Sequence, residues 1–123
     1  MAIDVLIVDD SSAVRKILTR VLAQTSLAIG NIHEAADGCQ ALEVLKENSV
    51  QLIFSDINMP NMDGIQFLSA MRQLPDHKST PVVMVTTEGS QTKVMEALNL
   101  GALGYVKKPF TAEQIEAKLS AVL

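Results

Sequence analysis

The stretch Val5-Leu6-Ile7-Val8-Asp9-Asp10 joins a short apolar run to two consecutive carboxylates, and the fold is decided there. An unbroken run of Val, Leu and Ile is typical of a strand that helices cover on both faces, as in a parallel sheet. The apolar residues that follow recur at helical spacing, so they predict an amphipathic helix that Ser11 or Ser12 caps. These residues are Val14, Ile17, Leu18, Val21 and Leu22.

The same alternation of strand and helix continues along the 123-residue chain. Strands are predicted over residues 32–35, 52–54, 81–85 and 104–106, and helices over residues 39–48, 65–74, 94–101 and 115–122. Asp37-Gly38 predicts a turn. Five strands that alternate with five helices favour a parallel sheet with helices on both sides, because each right-handed crossover needs a helix to return the chain. We therefore predict one α/β domain over residues 1–123.

Composition excludes several classes of protein. With 48% hydrophobic and 20% charged residues, the chain is predicted to be globular and not disordered. A net charge of −4 disfavours direct binding to nucleic acid or to a membrane surface, so protein partners are expected. The N-terminus shows no signal peptide or membrane span, which favours a cytoplasmic location. The single cysteine, Cys39, is interpreted as a small packed residue.

Polar side chains follow four of the predicted strands. The segments are Asp9-Asp10, Asp56, Thr86-Thr87-Glu88 and Lys107-Lys108-Pro109. Each alone has an ordinary explanation as a solvated loop or a helix cap, but ligands of such sheets bind beyond the carboxyl ends of the strands. Carboxylates about 4 Å apart repel by roughly 4 kcal/mol per pair at an effective dielectric near 20, so three of them require a cation. Few hard oxygen ligands favour Mg²⁺, and an aspartate beside Mg²⁺ and a lysine is suited to attack a phosphoryl donor.

In these segments and their order, the chain resembles the response-regulator receiver family over its whole length, and within it the stand-alone chemotaxis regulators. The matching segments are Val8-Asp9-Asp10-Ser11, Ser55-Asp56-Ile57-Asn58-Met59-Pro60, Met62-Asp63-Gly64, Val85-Thr86-Thr87-Glu88 and Gly104-Tyr105-Val106-Lys107-Lys108-Pro109-Phe110. The resemblance implies a flavodoxin-like (βα)5 fold whose five parallel strands have the order 2-1-3-4-5. It also implies a single receiver domain without an output domain.

The resemblance implies a phosphoryl site with a bound magnesium ion. Asp56 would be the phosphoacceptor. Asp10, Asp56 and the backbone carbonyl of Asn58 would bind Mg²⁺, and Asp9 would hold it through water. Lys108 would bind the phosphoryl group, and a cis peptide bond is expected before the proline that follows it.

Further roles are implied for residues around this site. Thr86 would donate a hydrogen bond to the phosphoryl group, and Tyr105 would turn from solvent to the interior, although ordinary edge-strand packing is the alternative for Tyr105. Asn58 and Glu88 would tune self-dephosphorylation and give a short phosphoryl lifetime; a solvated acid at a helix start is the alternative for Glu88. Where chemotaxis regulators carry a lysine pair, this chain has Ser90-Gln91, which puts motor binding in doubt.

Three functions remain open at this point. The first is a signalling switch that a sensor histidine kinase phosphorylates and that then binds a downstream protein target through its fourth helix, fifth strand and last helix. The second is a phosphoryl relay or sink that acts through a histidine phosphotransfer protein. The third, a small phosphatase, is disfavoured because Asn58 stands where that motif needs a second aspartate. In the first two, the chain is not an enzyme beyond its own phosphorylation and dephosphorylation, and it is either complete or the receiver of a longer regulator.

The remaining polar and sulfur-containing side chains are interpreted as structural. Flexible methionines commonly fill gaps in a core, and paired charges on a helix are commonly a solvated face. The residues interpreted in this way are the core methionines Met71, Met84 and Met95, the histidines His33 and His77, and the helix residues Glu113, Glu116 and Lys118.

Overall fold

A computed structural model describes residues 2–87 and 91–120 of the chain. Its secondary structure consists of β1 (Ile3–Val8), α1 (Ser12–Ala23), β2 (Ile29–Ala35), α2 (Gly38–Glu47), β3 (Leu52–Asp56), α3 (Gly64–Met71), a 3₁₀ helix (Pro75–His77), β4 (Val82–Thr86), α4 (Gln91–Asn99), β5 (Gly104–Lys107) and α5 (Ala112–Leu119). All strand pairs are parallel, and the order is β2-β1-β3-β4-β5. The predicted architecture and strand order are confirmed.

The apolar run of β1 is continuous because helices cover both faces of the sheet. Successive side chains of a strand point to opposite faces. Val5 and Ile7 pack in one core layer with residues of α1 and α5, whereas Leu6 and Val8 pack in the other with residues of α2, α3 and α4. All four side chains are at most 1% exposed, so no polar residue fits in this part of the strand.

Where the structure describes the residue before an α-helix, as it does for α1, α2, α3 and α5, the side chain of that residue caps the helix. Ser11, Asp37, Asp63 and Thr111 each accept a hydrogen bond from the backbone N–H three residues later. Such a cap satisfies one of the amide donors that a helix start leaves without a partner, and it contributes about 1 kcal/mol. Of the two serines predicted to cap α1, the structure selects Ser11.

Several element boundaries differ from those predicted. The predicted third helix extends to residue 74, but α3 ends at Met71 and a 3₁₀ helix begins at Pro75, because proline and the residue before it disfavour α-helical continuation. β2 begins at Ile29, three residues earlier than predicted. The sequence does not indicate this start because Gly30 and Asn31 are weak strand formers. The last residue of the predicted final helix, Val122, lies outside the described residues.

Two predictions about packed side chains are wrong. Cys39 is exposed on α2. Met71 and Met84 are buried as predicted, but Met95 is 58% exposed. Val94 occupies the inner face of α4, and its neighbour Met95 is therefore turned by about 100° toward solvent. In short helices, the inner face takes only one or two residues per turn, so the chemical type of a side chain does not decide its burial.

His77 and Glu116 also have more specific surroundings than predicted. His77 is buried, and its Nδ1 lies 2.9 Å from the hydroxyl oxygen of Thr80. Glu116 accepts hydrogen bonds from the backbone N–H and the hydroxyl of Ser26, which join α5 to the turn after α1. No helix in the described part of the chain has both the length and the apolar character needed to cross a membrane.

Arg72, at the end of α3, joins three segments of backbone. Its guanidinium donates hydrogen bonds to the carbonyl oxygens of His77 (3.0 Å), Thr80 (2.8 Å), Leu100 (3.3 Å) and Gly101 (3.0 Å). Two of these carbonyls precede β4, and two follow α4. The C-terminal end of α4 is thus held at the amino ends of the strands.

Candidate functional site

Three carboxylates meet at the carboxyl ends of β1 and β3. Asp9 and Asp10 follow β1, and Asp56 is the last residue of β3. One carboxylate oxygen from each lies within 4.8 Å of the others. β1 and β3 are neighbours, while the chain goes from β1 to β2 on the other side, so the acids lie at the point where the strand order reverses. Asp9 and Asp56 are buried, and Asp10 is exposed to solvent.

Lys108 brings a positive charge between two of these acids. Its ammonium lies 2.9 Å from Oδ2 of Asp9 and 3.3 Å from Oδ2 of Asp56. Burial lowers the pKa of Lys108, but the hydrogen bond to Asp9 and the charges of Asp56 and Asp9 outweigh burial and raise it. The peptide bond between Lys108 and Pro109 is cis, as the resemblance implied, and the N–H of Lys108 donates to the carbonyl of Thr86 (2.7 Å).

The ionised form of Asp56 is disfavoured by its surroundings. Burial and the nearby charge of Asp9 raise the pKa of Asp56, and this rise is opposed by Lys108 and by the N–H of Ile57, which donates to Oδ1 at 2.7 Å. Of the three carboxylates, the ammonium of Lys108 contacts only those of Asp9 and Asp56, and the carboxylate of Asp10 adds a third negative charge nearby. A further cation at this place is therefore electrostatically favourable.

The donor set suits Mg²⁺. The three carboxylates offer hard oxygen ligands from two neighbouring strand ends, and the exposed Asp10 leaves the cluster open to solvent. Mg²⁺ commonly takes one or two protein carboxylates, keeps several waters and binds phosphate oxygens beside them. These residues therefore fit the ion that the sequence predicts, while the contribution of the Asn58 carbonyl stays a prediction.

Residues at the start of α1 hold Asp9 in place through hydrogen bonds. Oδ1 of Asp9 accepts from the N–H of Ser11 (2.9 Å), and its backbone carbonyl accepts from Arg15. Arg15 also donates from Nε to Glu34 at 2.8 Å. The sequence motifs above do not include Arg15, although a basic residue early in the helix that follows an acidic pair is a signal for such a contact.

The loop between β3 and α3 folds back closely on Asp56. The N–H of Gly64 donates to the carbonyl of Ile57 (2.7 Å). A Cβ atom on Gly64 would lie 2.1 Å from the carbonyl oxygen of Asp56, which is far inside van der Waals contact. Only glycine fits this position. This close approach explains why glycine ends Met62-Asp63-Gly64, one of the segments that carry the family resemblance.

A second contact fastens the same loop to α2. Asn61, which has a left-handed φ of 65°, donates from its side chain to Oδ2 of Asp37 (2.8 Å). Oδ1 of Asp37 accepts from the N–H of Gln40 (2.8 Å). The hydrogen bonds from Gln40 and Asn61 lower the pKa of Asp37. Asn tolerates the left-handed conformation better than most residues, so Asn61 can both adopt the turn and hold the loop to Asp37.

The residues predicted to switch lie on adjacent strands. Thr86 is buried at the end of β4, and its hydroxyl donates to the carbonyl of Thr87 (3.1 Å) and not to Asp56. Tyr105 on β5 is half-buried, with the ammonium of Lys118 5.8 Å from its ring centre. Glu88, predicted to tune dephosphorylation, lies outside the described residues.

Asn58, the other residue predicted to tune dephosphorylation, is exposed on the loop after β3. Its Oδ1 accepts a hydrogen bond from the ammonium of Lys93, on α4, at 3.1 Å. Nothing in the sequence singled out Lys93, because it lies 35 residues from Asn58 and its position at the site depends on how α4 packs.

Comparison with known families and curated proteins agrees with this geometry. Residues 5–120 match the model of the response regulator receiver domain. The chain is 37% identical over 123 residues to the transcriptional regulatory protein SrrA of Staphylococcus aureus, an alignment that covers 100% of this chain and 48% of SrrA. The chain therefore spans about half the length of the curated relatives it matches.

Solved structures give the same result. The chemotaxis response regulator CheY4 of Vibrio cholerae superposes with a TM-score of 0.86 at 37% identity, and 100% of both chains is covered. A chain of the CheX-CheY-BeF3-Mg²⁺ complex from Borrelia burgdorferi superposes with a TM-score of 0.86 at 31% identity, covering 98% of this chain and 90% of that one. Both similarities extend over the strand ends that carry the acidic cluster.

Proposed function

The chain belongs to the response-regulator receiver family, and from this premise we propose that it is a signalling switch that carries a phosphoryl group on Asp56. The donor would be a phosphohistidine of a sensor histidine kinase. The phosphorylated form would bind a downstream protein target or pass the group to a histidine phosphotransfer protein. Direct binding to nucleic acid or to a membrane is not part of this function.

One observation carries the proposal. The carboxylate of Asp56 lies at the end of a central strand, 3.3 Å from the ammonium of Lys108 and within 4.8 Å of the carboxylates of Asp9 and Asp10. Lys108 is in place to balance charge on a phosphoryl oxygen, and the other two acids are in place to hold a cation beside it. Phosphoryl transfer is catalysed mainly by such positioning and charge balance.

The proposed metal ion is Mg²⁺. Asp10, Asp56 and the carbonyl of Asn58 would hold it directly and Asp9 through water. When bound, Mg²⁺ supplies positive charge that neutralises the phosphoryl oxygens as the group is transferred.

In the transfer step, an oxygen of Asp56 forms a bond to phosphorus. The bond from phosphorus to the donor breaks, and its electron pair stays on the donor nitrogen or oxygen. Lys108 would exchange part of its contact with Asp56 for a phosphoryl oxygen while it keeps its contact with Asp9. Hydrolysis of the aspartyl phosphate would be modulated by Asn58 and Glu88 and would give a short phosphoryl lifetime.

The proposed switch connects this site to a surface for partners. Phosphorylation would give the hydroxyl of Thr86 a stronger acceptor than the carbonyl of Thr87 to which it now donates. Thr86 pairs with Lys107 on the neighbouring strand β5, and Tyr105 lies two residues before Lys107. Movement of Thr86 toward the site would make room for the half-buried ring of Tyr105. This is a two-state element that charge biases, and its readout surface is formed by α4, β5 and α5.

The chain is proposed to act chemically only on itself. Its catalysis would be limited to taking a phosphoryl group from a donor and losing it to water, without turnover of added phosphomonoesters. Measurement of inorganic phosphate release from p-nitrophenyl phosphate tests this point, and sustained turnover above buffer would contradict it.

The proposed function is tested by intact-mass spectrometry after incubation with acetyl phosphate, in Mg²⁺ and in excess chelator. We expect a phosphoryl adduct on the wild type in Mg²⁺, little adduct in chelator, and none on Asp56→Asn. Asp76→Asn, which changes an exposed aspartate remote in sequence from the cluster, is the matched control and should form the adduct. An adduct on Asp56→Asn, or none on the wild type in Mg²⁺, would overturn the proposal.

A further inference from the structure

A hydrogen bond between Lys93 and Asn58 joins α4 to the loop after β3, at the carboxyl ends of the strands and beside the site. Lys93 lies near the start of α4, which follows β4, and Asn58 lies two residues after Asp56, which ends β3. The ammonium of Lys93 donates to Oδ1 of Asn58 at 3.1 Å. Neither residue is buried, so the contact lies at the rim of the site, where water reaches it.

The chemistry of this contact determines which way the Asn58 carboxamide faces. A lysine ammonium has donors and no acceptor, so it bonds the oxygen of the carboxamide and not its nitrogen. Lys93 occupies one of the two lone pairs of Oδ1 and holds the oxygen toward α4, so the two N–H donors on the other side of the carboxamide are the groups turned away from Lys93 and toward a third partner. A donor can bond a phosphoryl oxygen or the oxygen of a water molecule, but it does not accept a proton.

This orientation bears on hydrolysis of an aspartyl phosphate. In that reaction, the water oxygen forms the new bond to phosphorus, and the bond from phosphorus to the Asp56 oxygen breaks with its electron pair left on the carboxylate. The water protons go to the phosphate product and to solvent. A water whose proton is accepted by a neighbouring oxygen is a better nucleophile, whereas a water whose lone pair is occupied by a donor is a poorer one.

We propose that Lys93 is a positioning residue for Asn58: by engaging Oδ1, it turns the carboxamide N–H groups toward the phosphoryl site and thereby lengthens the life of the phosphoryl group on Asp56. This inference rests on the proposed function, since it concerns the same aspartyl phosphate. It adds a residue on α4 to the control of the phosphoryl lifetime.

The test follows loss of the phosphoryl group from protein loaded with acetyl phosphate and freed of donor. Lys93→Met should lose it about two- to tenfold faster than the wild type, the range that corresponds to one hydrogen bond. Lys93→Arg, which keeps a cationic donor, should restore most of the lifetime. Lys78→Met, which removes an exposed lysine near the amino ends of the strands, is the charge-matched control and should leave the phosphoryl lifetime unchanged.

A double-mutant cycle distinguishes positioning from a direct effect of the lysine charge on the phosphoryl group. In an Asn58→Ala background, Lys93→Met should not change the lifetime further, because Lys93 acts through Asn58. In the unphosphorylated protein, the side-chain amide resonances of Asn58 should shift in Lys93→Met and return in Lys93→Arg.

Each outcome of these measurements decides the matter. An unchanged or longer lifetime in Lys93→Met, or an equal effect in the Asn58→Ala background, overturns the positioning role while the adduct on Asp56 still supports the proposed function. Absence of an adduct on the wild type overturns both. The expected pattern, faster loss that Arg rescues and that needs Asn58, supports the role assigned to Lys93.

Discussion

The ammonium of Lys108 lies 2.9 Å from Oδ2 of Asp9, a residue 99 positions earlier in the chain. Asp9 is 2% exposed, so its carboxylate has exchanged most of its contact with water for this partner and for the N–H of Ser11. A buried carboxylate without such partners costs several kcal/mol, and the ion pair therefore matters to the fold as well as to the chemistry.

Lys108→Met should destabilise the metal-free protein by about 1.5–3 kcal/mol, because it leaves the buried carboxylates of Asp9 and Asp56 without their cation. Urea unfolding in chelator measures the difference in the free energy of unfolding. Lys16→Met, on the exposed face of α1, serves as the control and should change stability by about 0.5 kcal/mol at most. Equal stability of Lys108→Met and the wild type would show that the ion pair contributes nothing net.

Asp56→Asn should have the opposite effect and stabilise the metal-free protein at pH 7 by about 1 kcal/mol. Burial and the charge of Asp9 raise the pKa of Asp56, so its ionised form is less favourable in the folded than in the unfolded protein. A raised folded-state pKa means that this penalty is present at neutral pH and disappears as pH falls through that pKa. The advantage of Asp56→Asn should therefore shrink between pH 7 and pH 4.

The same variant also separates the effect of metal binding. Mg²⁺ should stabilise the wild type by about 2.7 kcal/mol when free Mg²⁺ is a hundred times its dissociation constant, and it should stabilise Asp56→Asn less. Unfolding in urea at a series of Mg²⁺ concentrations gives both curves. Identical Mg²⁺ curves for the two proteins would remove Asp56 from the set of metal ligands.

Gly64→Ala should be severe, whereas Gly104→Ala should be mild. A Cβ on Gly64 would meet the backbone oxygen of Asp56 at 2.1 Å, but a Cβ on Gly104 would lie 3.6 Å from the side chain of Lys118, an ordinary contact. We expect a loss of about 1–3 kcal/mol and slower adduct formation for Gly64→Ala, and a change within about 0.5 kcal/mol for Gly104→Ala. Thermal unfolding and the acetyl phosphate reaction measure the two effects, and equal behaviour of the two variants would contradict the close approach.

Stability in acid should depend on Asp37. Hydrogen bonds from Gln40 and Asn61 lower the pKa of Asp37 below the unfolded value of about 4, so the unfolded chain binds more protons in acid. Its contribution is present above about pH 5 and is lost as pH falls through the lower folded-state pKa. Asp37→Asn keeps an acceptor for the N–H of Gln40 but loses the second acceptor that the Asn61 side chain uses, so it should cost about 1 kcal/mol at pH 7 and less at pH 3. Urea unfolding at both pH values tests this, with Asp76→Asn as control; an equal or larger cost at pH 3 would contradict it.

The fold could be predicted from the sequence because its signals are local and repeated. The apolar run before Asp9 and the helical spacing after it identify the first strand and helix, and the acids follow strands whose ends must meet in a parallel sheet. The structure brings Asp9, Asp10 and Asp56 together and places Lys108 against Asp9 and Asp56, while the roles assigned to these residues stay predictions.

What could not be predicted depends on how separate elements pack. The bond of Lys93 to Asn58 requires α4 to lie beside the loop after β3, and no periodicity or motif in the chain encodes that placement. The exposure of Met95 is similar, because a helix of 9 residues leaves the choice between adjacent faces to its tertiary neighbours. The end of α3 differs from the predicted one because the apolar Leu74 continues the helical pattern past Met71, where the helix ends.

The four hydrogen bonds of Arg72 have a consequence for how α4 can respond to phosphorylation. They fasten the backbone at Leu100 and Gly101 to the end of α3, whereas the first turns of α4 reach the site through the rim contact of Lys93. A stiff rod that is fixed at one end moves by pivoting about that end, and its displacement grows along its length. In the proposed switch, α4 would therefore pivot about Arg72, and its greatest displacement would fall at the end nearest Asp56.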